Sequence, residues 1–155
     1  MGHSDAELRS ILEHARVIAC VGVSLNPIRP SYYVARYLAL RGYRVIPVNP
    51  VHAGEELFGE TVVADVGEAP EETDMIDLFR RSEHVPPIVA KALESLPNLR
   101  TVWMQIGIRN EEAAEAATKR GLKVVQDRCP KMEHQRLWGE LRKAGIATRV
   151  ISSKL

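Results

Sequence analysis

Chemistry in this chain must come from a small number of side chains. Cys129 stands in Asp127-Arg128-Cys129-Pro130-Lys131, beside two cations and ahead of a helix. Each of those neighbours lowers a thiol pKa and raises the thiolate fraction, which suits thiol–disulfide exchange or acyl transfer. One thiol alone defines no mechanism, so the plainer reading is a half-buried cysteine ending a strand. His134, five residues on, is not placed by helical spacing to act as its base and reads as a solvated surface histidine. His3, His14, His52 and His84 show no ligand spacing with each other or with cysteine, and no metal site is expected. Cys20 lies inside an apolar run and reads as inert core. No carboxylate pair and no Ser/His/Asp arrangement points to hydrolysis, so no catalytic residue is assigned.

A second candidate is the loop Gly22-Val23-Ser24-Leu25-Asn26-Pro27-Ile28-Arg29-Pro30-Ser31. Gly22 permits a tight turn, and Ser24, Arg29 and Ser31 offer donors just ahead of a helix. Helix N-terminal amides and the helix dipole favour an anion such as phosphate at such a place. A stiffened, capped turn is the plainer alternative. Arg80-Arg81 supplies two further cations. A dinucleotide fingerprint needs G-x-G-x-x-G and an acidic residue about 20 positions on. Here only the first glycine is present, and the second strand ends in Val48-Asn49-Pro50 without a carboxylate. The Gly-Lys-Ser/Thr of a phosphate-binding P-loop is also missing.

The elements that must hold these residues alternate along the chain. Ser4 and Glu7 are spaced as a capping box, before a helix carrying Leu8, Ile11, Leu12 and Ala15. Val17 to Val23 is uniformly apolar, as in a parallel strand covered on both faces. A helix with Tyr33, Val34, Tyr37 and Leu38 follows, then a strand at Arg44 to Val48. Val51 to Pro70 reads as a surface excursion with a short strand at Thr61-Val62-Val63. Met75 to Phe79 is the third main strand, and Pro86 and Pro87 open a helix with Ile88, Val89, Ala92, Leu93 and Leu96 on one side. Thr101 to Ile106 is the fourth strand, Asn110 caps the next helix, and Leu122 to Gln126 is the fifth strand. Glu133 to Leu141 closes the pattern, with Leu137, Trp138 and Leu141 facing inward.

This alternation predicts an α/β fold: an open, doubly wound, Rossmann-like parallel sheet of about five strands in three αβα layers. Its expected strand order is 3-2-1-4-5, in one domain over residues 1–155. Ligands of such sheets lie outside the carboxyl ends of the strands, at the switch point beside the first. That selects Gly22 to Ser31, Val48 to Pro50, Phe79 to Ser82, Gln105 to Asn110 and Asp127 to Pro130.

Composition narrows the class. The 155 residues are 45% hydrophobic and 26% charged, and 21 Lys+Arg against 20 Asp+Glu leave a formal net charge of +1. No concentrated positive surface for nucleic acid is expected. No stretch approaches the roughly 20 apolar residues of a membrane span, and Met1 to Glu7 reads as no signal peptide. Two distant cysteines fit a reducing, cytoplasmic compartment.

Gly22-Val23-Ser24 with Asn26-Pro27 and Arg29, then Tyr32 and Val34, resembles the small bacterial CoA-binding proteins. These are stand-alone domains similar to the CoA-binding domain of the succinyl-CoA synthetase alpha subunit. The resemblance continues through Val48-Asn49-Pro50, Asp77-Leu78-Phe79-Arg80-Arg81-Ser82, Trp103-Met104-Gln105-Ile106-Gly107 and Asp127-Arg128-Cys129-Pro130. It runs from about Val17 to Leu137. It implies non-catalytic binding of coenzyme A or a short acyl-CoA. The ligand-facing residues would be Gly22, Val23, Ser24, Asn26, Pro27, Arg29, Ser31, Tyr32, Val48, Asn49, Pro50, Leu78, Phe79, Arg80, Arg81, Gln105, Gly107 and Cys129. Gly22 to Ser24 and Arg29 would meet phosphates, Val48 and Pro50 one side of the adenosine, and Leu78, Phe79 and Arg80 the other. The synthetase's phosphohistidine lies outside its CoA-binding domain, so ligase activity is not carried over. Two other readings stay open: a thiol or acyl-transfer enzyme (or component) using Cys129, and a plain NAD(P)-binding domain. A protein partner or a homodimer through an apolar helix face is compatible with either.

Overall fold

A computed structural model describes residues 3–139. Helix α1 (Asp5–His14) opens on the expected capping box: Ser4 Oγ accepts from the Glu7 backbone, and the Glu7 carboxylate accepts from the Ser4 N–H. That backbone bond holds the Glu7 carboxyl below its usual value. Strand β1 (Val17–Val21) is buried throughout, and α2 (Pro30–Leu40) follows the Gly22 loop. Then come β2 (Arg44–Val48), a small hairpin of β3 (Glu56–Leu57) and β4 (Glu60–Thr61), and β5 (Met75–Leu78). Helix α3 (Val85–Ser95), β6 (Thr101–Met104), α4 (Glu111–Lys119), β7 (Lys123–Val125) and α5 (Pro130–Trp138) complete the order.

The five main strands form one all-parallel sheet, and side-chain alternation divides its core in two. Ile18 and Cys20 face Leu8, Leu12, Val34, Leu38 and Leu137 of α1, α2 and α5. Val17, Ala19 and Val21 face Val89, Ala92, Ala113 and Ala117 of α3 and α4. The three αβα layers are therefore as expected. No helix among the described residues is long and apolar enough to cross a membrane.

The expected strand order is wrong. The sheet runs β2-β1-β5-β6-β7, which in the numbering of the five main strands is 2-1-3-4-5. The third strand lies against the first rather than outside the second, because the outer edge of β2 is already taken. Asn49 N donates to Val63 O at 2.8 Å and Val63 N donates to Pro47 O at 3.0 Å, so the excursion straps that edge. Pro47 itself argued for an edge, since proline withholds a ladder N–H. The excursion also holds the unforeseen hairpin, turned at Phe58 and Gly59, both at positive φ.

Other departures are local. The fourth strand stops at Met104, and Ile106 is exposed in the turn beyond it. The last helix begins at Pro130, whose ring suits a first helical position. Trp138 faces outward, stacked on His134 at 4.7 Å with the Arg9 guanidinium over its ring. Leu141 lies outside the described residues.

Candidate functional site

The register brings the carboxyl ends of four strands level: Val21 pairs with Val48 and Leu78, and Leu78 with Met104. The chain leaves β1 for β2 on one side and returns to β5 on the other. The switch point is therefore the β1/β5 boundary. Its crevice, of about 260 Å³, is lined by Pro30, Val34, Phe79, Gln105, Ile106, Ile108, Cys129 and Met132. A larger groove of about 450 Å³ lies at the amino edge, among Ile11, Leu99, Leu122, Arg100, Arg120 and Lys123. Helices α1 and α4 end near this groove, and cations there compensate their dipoles; Arg120 also donates to Leu93 O at 3.1 Å.

The first loop builds itself. Ser24 N donates to Ser31 Oγ at 2.8 Å, Asn26 N to Ser24 Oγ at 2.9 Å, and Ile28 N to Asn26 Oδ1 at 3.1 Å. These bonds use the side-chain oxygens as acceptors, leaving each serine O–H able to donate. Arg29 is exposed as the N-cap of α2 and makes no side-chain capping bond. Gly22 has φ +89°, and a Cβ there would stand 2.8 Å from Arg80 Cδ. Its missing side chain thus leaves room for the stem of Arg80, which comes from the β5 end, to pack against the β1 end. Asn49 ties the same loop to β2, donating to Val23 O at 2.8 Å and accepting from Val51 N at 2.9 Å.

The remaining expected residues divide by burial. Val23, Val48 and Leu78 sit in the core, so their side chains support the crevice instead of facing it. Tyr32 packs on Phe58 of the hairpin, ring centroids 5.1 Å apart. Pro27, Pro50 and Arg81 are exposed, as are Ile28 and Val51 at 78% and 81%. Ile28, Val51 and Ile106 together put apolar surface at the same edge. Gly107 N donates to Asp127 Oδ1 at 2.6 Å and pins one loop to another, away from the crevice lining. Phe79, Gln105 and Cys129 are the expected residues that line the crevice.

Cys129 is not the activated thiol its neighbours imply. It is 3% exposed, and burial pushes its pKa up despite the Met132 N–H, which stabilises the thiolate. Arg128 turns to Glu133 at 3.5 Å, while Lys131 is buried with its ammonium over the Tyr37 ring. His134 is no solvated histidine: its Nδ1 shares a 2.9 Å hydrogen bond with Tyr37 Oη. Among the described residues, no three His, Cys, Asp or Glu side chains form a metal-binding group.

The selected segments hold the lining residues Pro30, Ile106 and Ile108, but sequence reading named none of them as ligand-facing, passed over Met132, and gave Asp77 no role of its own. This carboxyl is fully buried in β5, on the face of Cys20 and Trp103. With its amide oriented to satisfy both groups, Gln105 Nε2 donates to Asp77 Oδ1 at 3.0 Å and Oδ2 at 3.2 Å. A carboxylate inside an apolar strand was the available signal. Burial raises the Asp77 pKa well above the usual carboxyl value. A carboxyl raised in the fold contributes its full stability below the unfolded pKa, and that stability declines as pH climbs toward the folded value. Asp77→Asn cannot ionise, so we expect no gain near pH 3, below the ordinary carboxyl value of about 3.9. At neutral pH we expect a gain of at least about 1 kcal/mol, roughly 3 °C in Tm. Thermal melts at both pH values check this, and equal shifts would exclude the carboxyl as the source.

A family model described as a CoA binding domain matches residues 16–135 of this chain. The chain is 36% identical over 131 residues to the uncharacterized protein YneT of Bacillus subtilis (strain 168), covering 84% of this chain and 94% of that protein. Among solved structures it is similar to cell-free ID.343 from Thermus thermophilus, with TM-score 0.81 and 43% identity, over 87% of this chain and 99% of that one. It is also similar to a hypothetical protein from Pyrococcus horikoshii OT3, with TM-score 0.82 and 36% identity, over 89% and 94% of the two chains.

Proposed function

The chain belongs to the CoA binding domain family, and on that premise we propose that it binds coenzyme A or a short acyl-CoA without catalysis of its own. The observation that carries this reading is Arg80 lying over Gly22. It sets the Arg80 side chain against the self-bonded loop that also carries Arg29 ahead of α2, a setting suited to phosphates. Exposed Pro50, Val51 and Ile28 offer apolar contact to an adenosine, replacing the buried side chains of Val48 and Leu78 in that role. The crevice has room for part of such a ligand and would take its thiol-bearing arm, beside Phe79, Gln105 and Cys129. The second strand's Val48-Asn49-Pro50 end carries no carboxylate for a ribose diol, which weighs against NAD. Both cysteines are free and buried, which supports a reducing, cytoplasmic setting, and a protein partner or second copy would act on the loaded domain.

Calorimetric titration tests the reading. Coenzyme A is expected to bind, 3′-dephospho-CoA to bind about tenfold more weakly, and NAD to show no saturation; tenfold corresponds to about 1.4 kcal/mol. Arg29→Ala and Arg80→Ala are each expected to lose about tenfold in CoA affinity. Equal affinity for NAD and CoA, or no heat with CoA in reducing buffer, would reject it.

A further inference from the structure

Three polar side chains from three different segments meet where the crevice touches the core. Asp77 comes from β5 and is fully buried. Gln105 follows β6, lines the crevice and, with its amide so oriented, donates to both Asp77 oxygens. Cys129 is the N-cap residue of α5, lines the same crevice and adjoins the Gln105 amide there. A primary amide has one donating and one accepting end, and Gln105 has a titratable group at each.

We infer that Asp77, Gln105 and Cys129 form one proton-sharing unit, in which the Gln105 amide couples a buried carboxyl to the thiol on the crevice wall. Two arrangements satisfy every group. In the first, Asp77 is a carboxylate receiving the amide N–H, and the Gln105 carbonyl accepts from the Cys129 S–H. In the second, the Asp77 O–H donates to the Gln105 carbonyl, and the amide N–H donates to a Cys129 thiolate. A half-turn of the amide interconverts them, with one proton given up by sulfur and one taken up by the carboxyl. The net charge is the same in both, so the buried site changes its nucleophile without acquiring a second charge. Both groups ionised at once would place two negative charges in one dry pocket, and coupled groups of this kind titrate as a pair.

Lys131 is within electrostatic reach of the unit: burial lowers its pKa, and the Cys129 charge opposes that lowering. Cys20 of β1 faces Asp77, and burial, reinforced by the Asp77 charge, holds its thiol protonated. On α5, Lys131 lies over Tyr37, at 5.3 Å, and His134 bonds to the Tyr37 hydroxyl. Arg128 is paired with Glu133, the Arg41 guanidinium also lies over the Tyr37 ring, and the Arg80 stem packs at Gly22. A sulfur-bearing arm entering the crevice would meet a thiol whose proton has a second place to go.

The test uses the free protein in a Cys20→Ala background, so it is independent of the CoA reading, and either can fail alone. Cys129 alkylation by iodoacetamide is followed against pH. The unaltered unit is expected to show two steps, the first a plateau from the shared charge and the second from full ionisation. Asp77→Asn should show one step, its midpoint about one pH unit or more below the upper step. Superimposable profiles would overturn the inference. A second measurement needs no carboxyl variant: the Asp77 carboxyl carbon resonance should inflect at the pH where Cys129 titrates, and Cys129→Ser should remove that inflection. A carboxyl resonance indifferent to Cys129→Ser would also overturn it.

Discussion

Trp103→Ala is expected to cost about 3–5 kcal/mol of stability, the largest effect of any single change considered for this chain. Trp103 is the largest fully buried side chain, and its indole fills the sheet face beneath α5. Its Nε1–H also donates to Arg128 O at 2.8 Å, holding the residue that precedes Cys129. Alanine removes the packing and strips that carbonyl of its donor. Trp103→Phe separates the two, retaining most of the apolar contact and losing the hydrogen bond, for about 1–2 kcal/mol from the bond itself. Urea denaturation of the three proteins measures both steps. A phenylalanine variant as stable as the original would mean that the indole N–H contributes nothing.

Gly22→Ala is expected to damage fold and ligand binding together. The residue must hold φ +89°, which costs a side chain about 1–2 kcal/mol, and its new Cβ would press on Arg80 at 2.8 Å. The middle of the Arg80 side chain would have to move, carrying the guanidinium off the loop, and CoA affinity should fall about tenfold or more. Gly42→Ala provides the control. Gly42 has φ +98° but nothing within 4 Å of a Cβ, so it should pay the backbone strain and leave CoA binding unchanged. If both variants bound CoA alike, the contact between Gly22 and Arg80 would have no bearing on the ligand.

What the sequence disclosed was whatever a few neighbouring residues decide. The Ser4/Glu7 box, the apolar Val17 to Val21 run and the Asn110 cap, whose Oδ1 accepts from Ala113 N at 2.9 Å, all depend on local chemistry. The strand order depends on which edge stays open, and that was decided by Val63 meeting Pro47 and Asn49 across the excursion. Trp138 carried the apolar character of a core residue, yet His134 and Arg9 cover it from outside. At the site, loop positions followed from the rule for parallel sheets, and of the residues it selected Phe79, Gln105 and Cys129 line the crevice. The protonation of Cys129 did not follow, because its flanking cations point elsewhere and burial outweighs charge. The Asp77–Gln105 contact joins a residue of β5 to one just past the end of β6, 28 positions on, and no spacing rule reaches it.

The loop that closes on itself through Ser24, Asn26 and Ser31 has a consequence for the tempo of recognition. A segment already ordered by its own hydrogen bonds surrenders little conformational entropy when a ligand arrives. Encounter, rather than reorganisation of the chain, then sets the association rate, and differences among related ligands fall on how long each one stays.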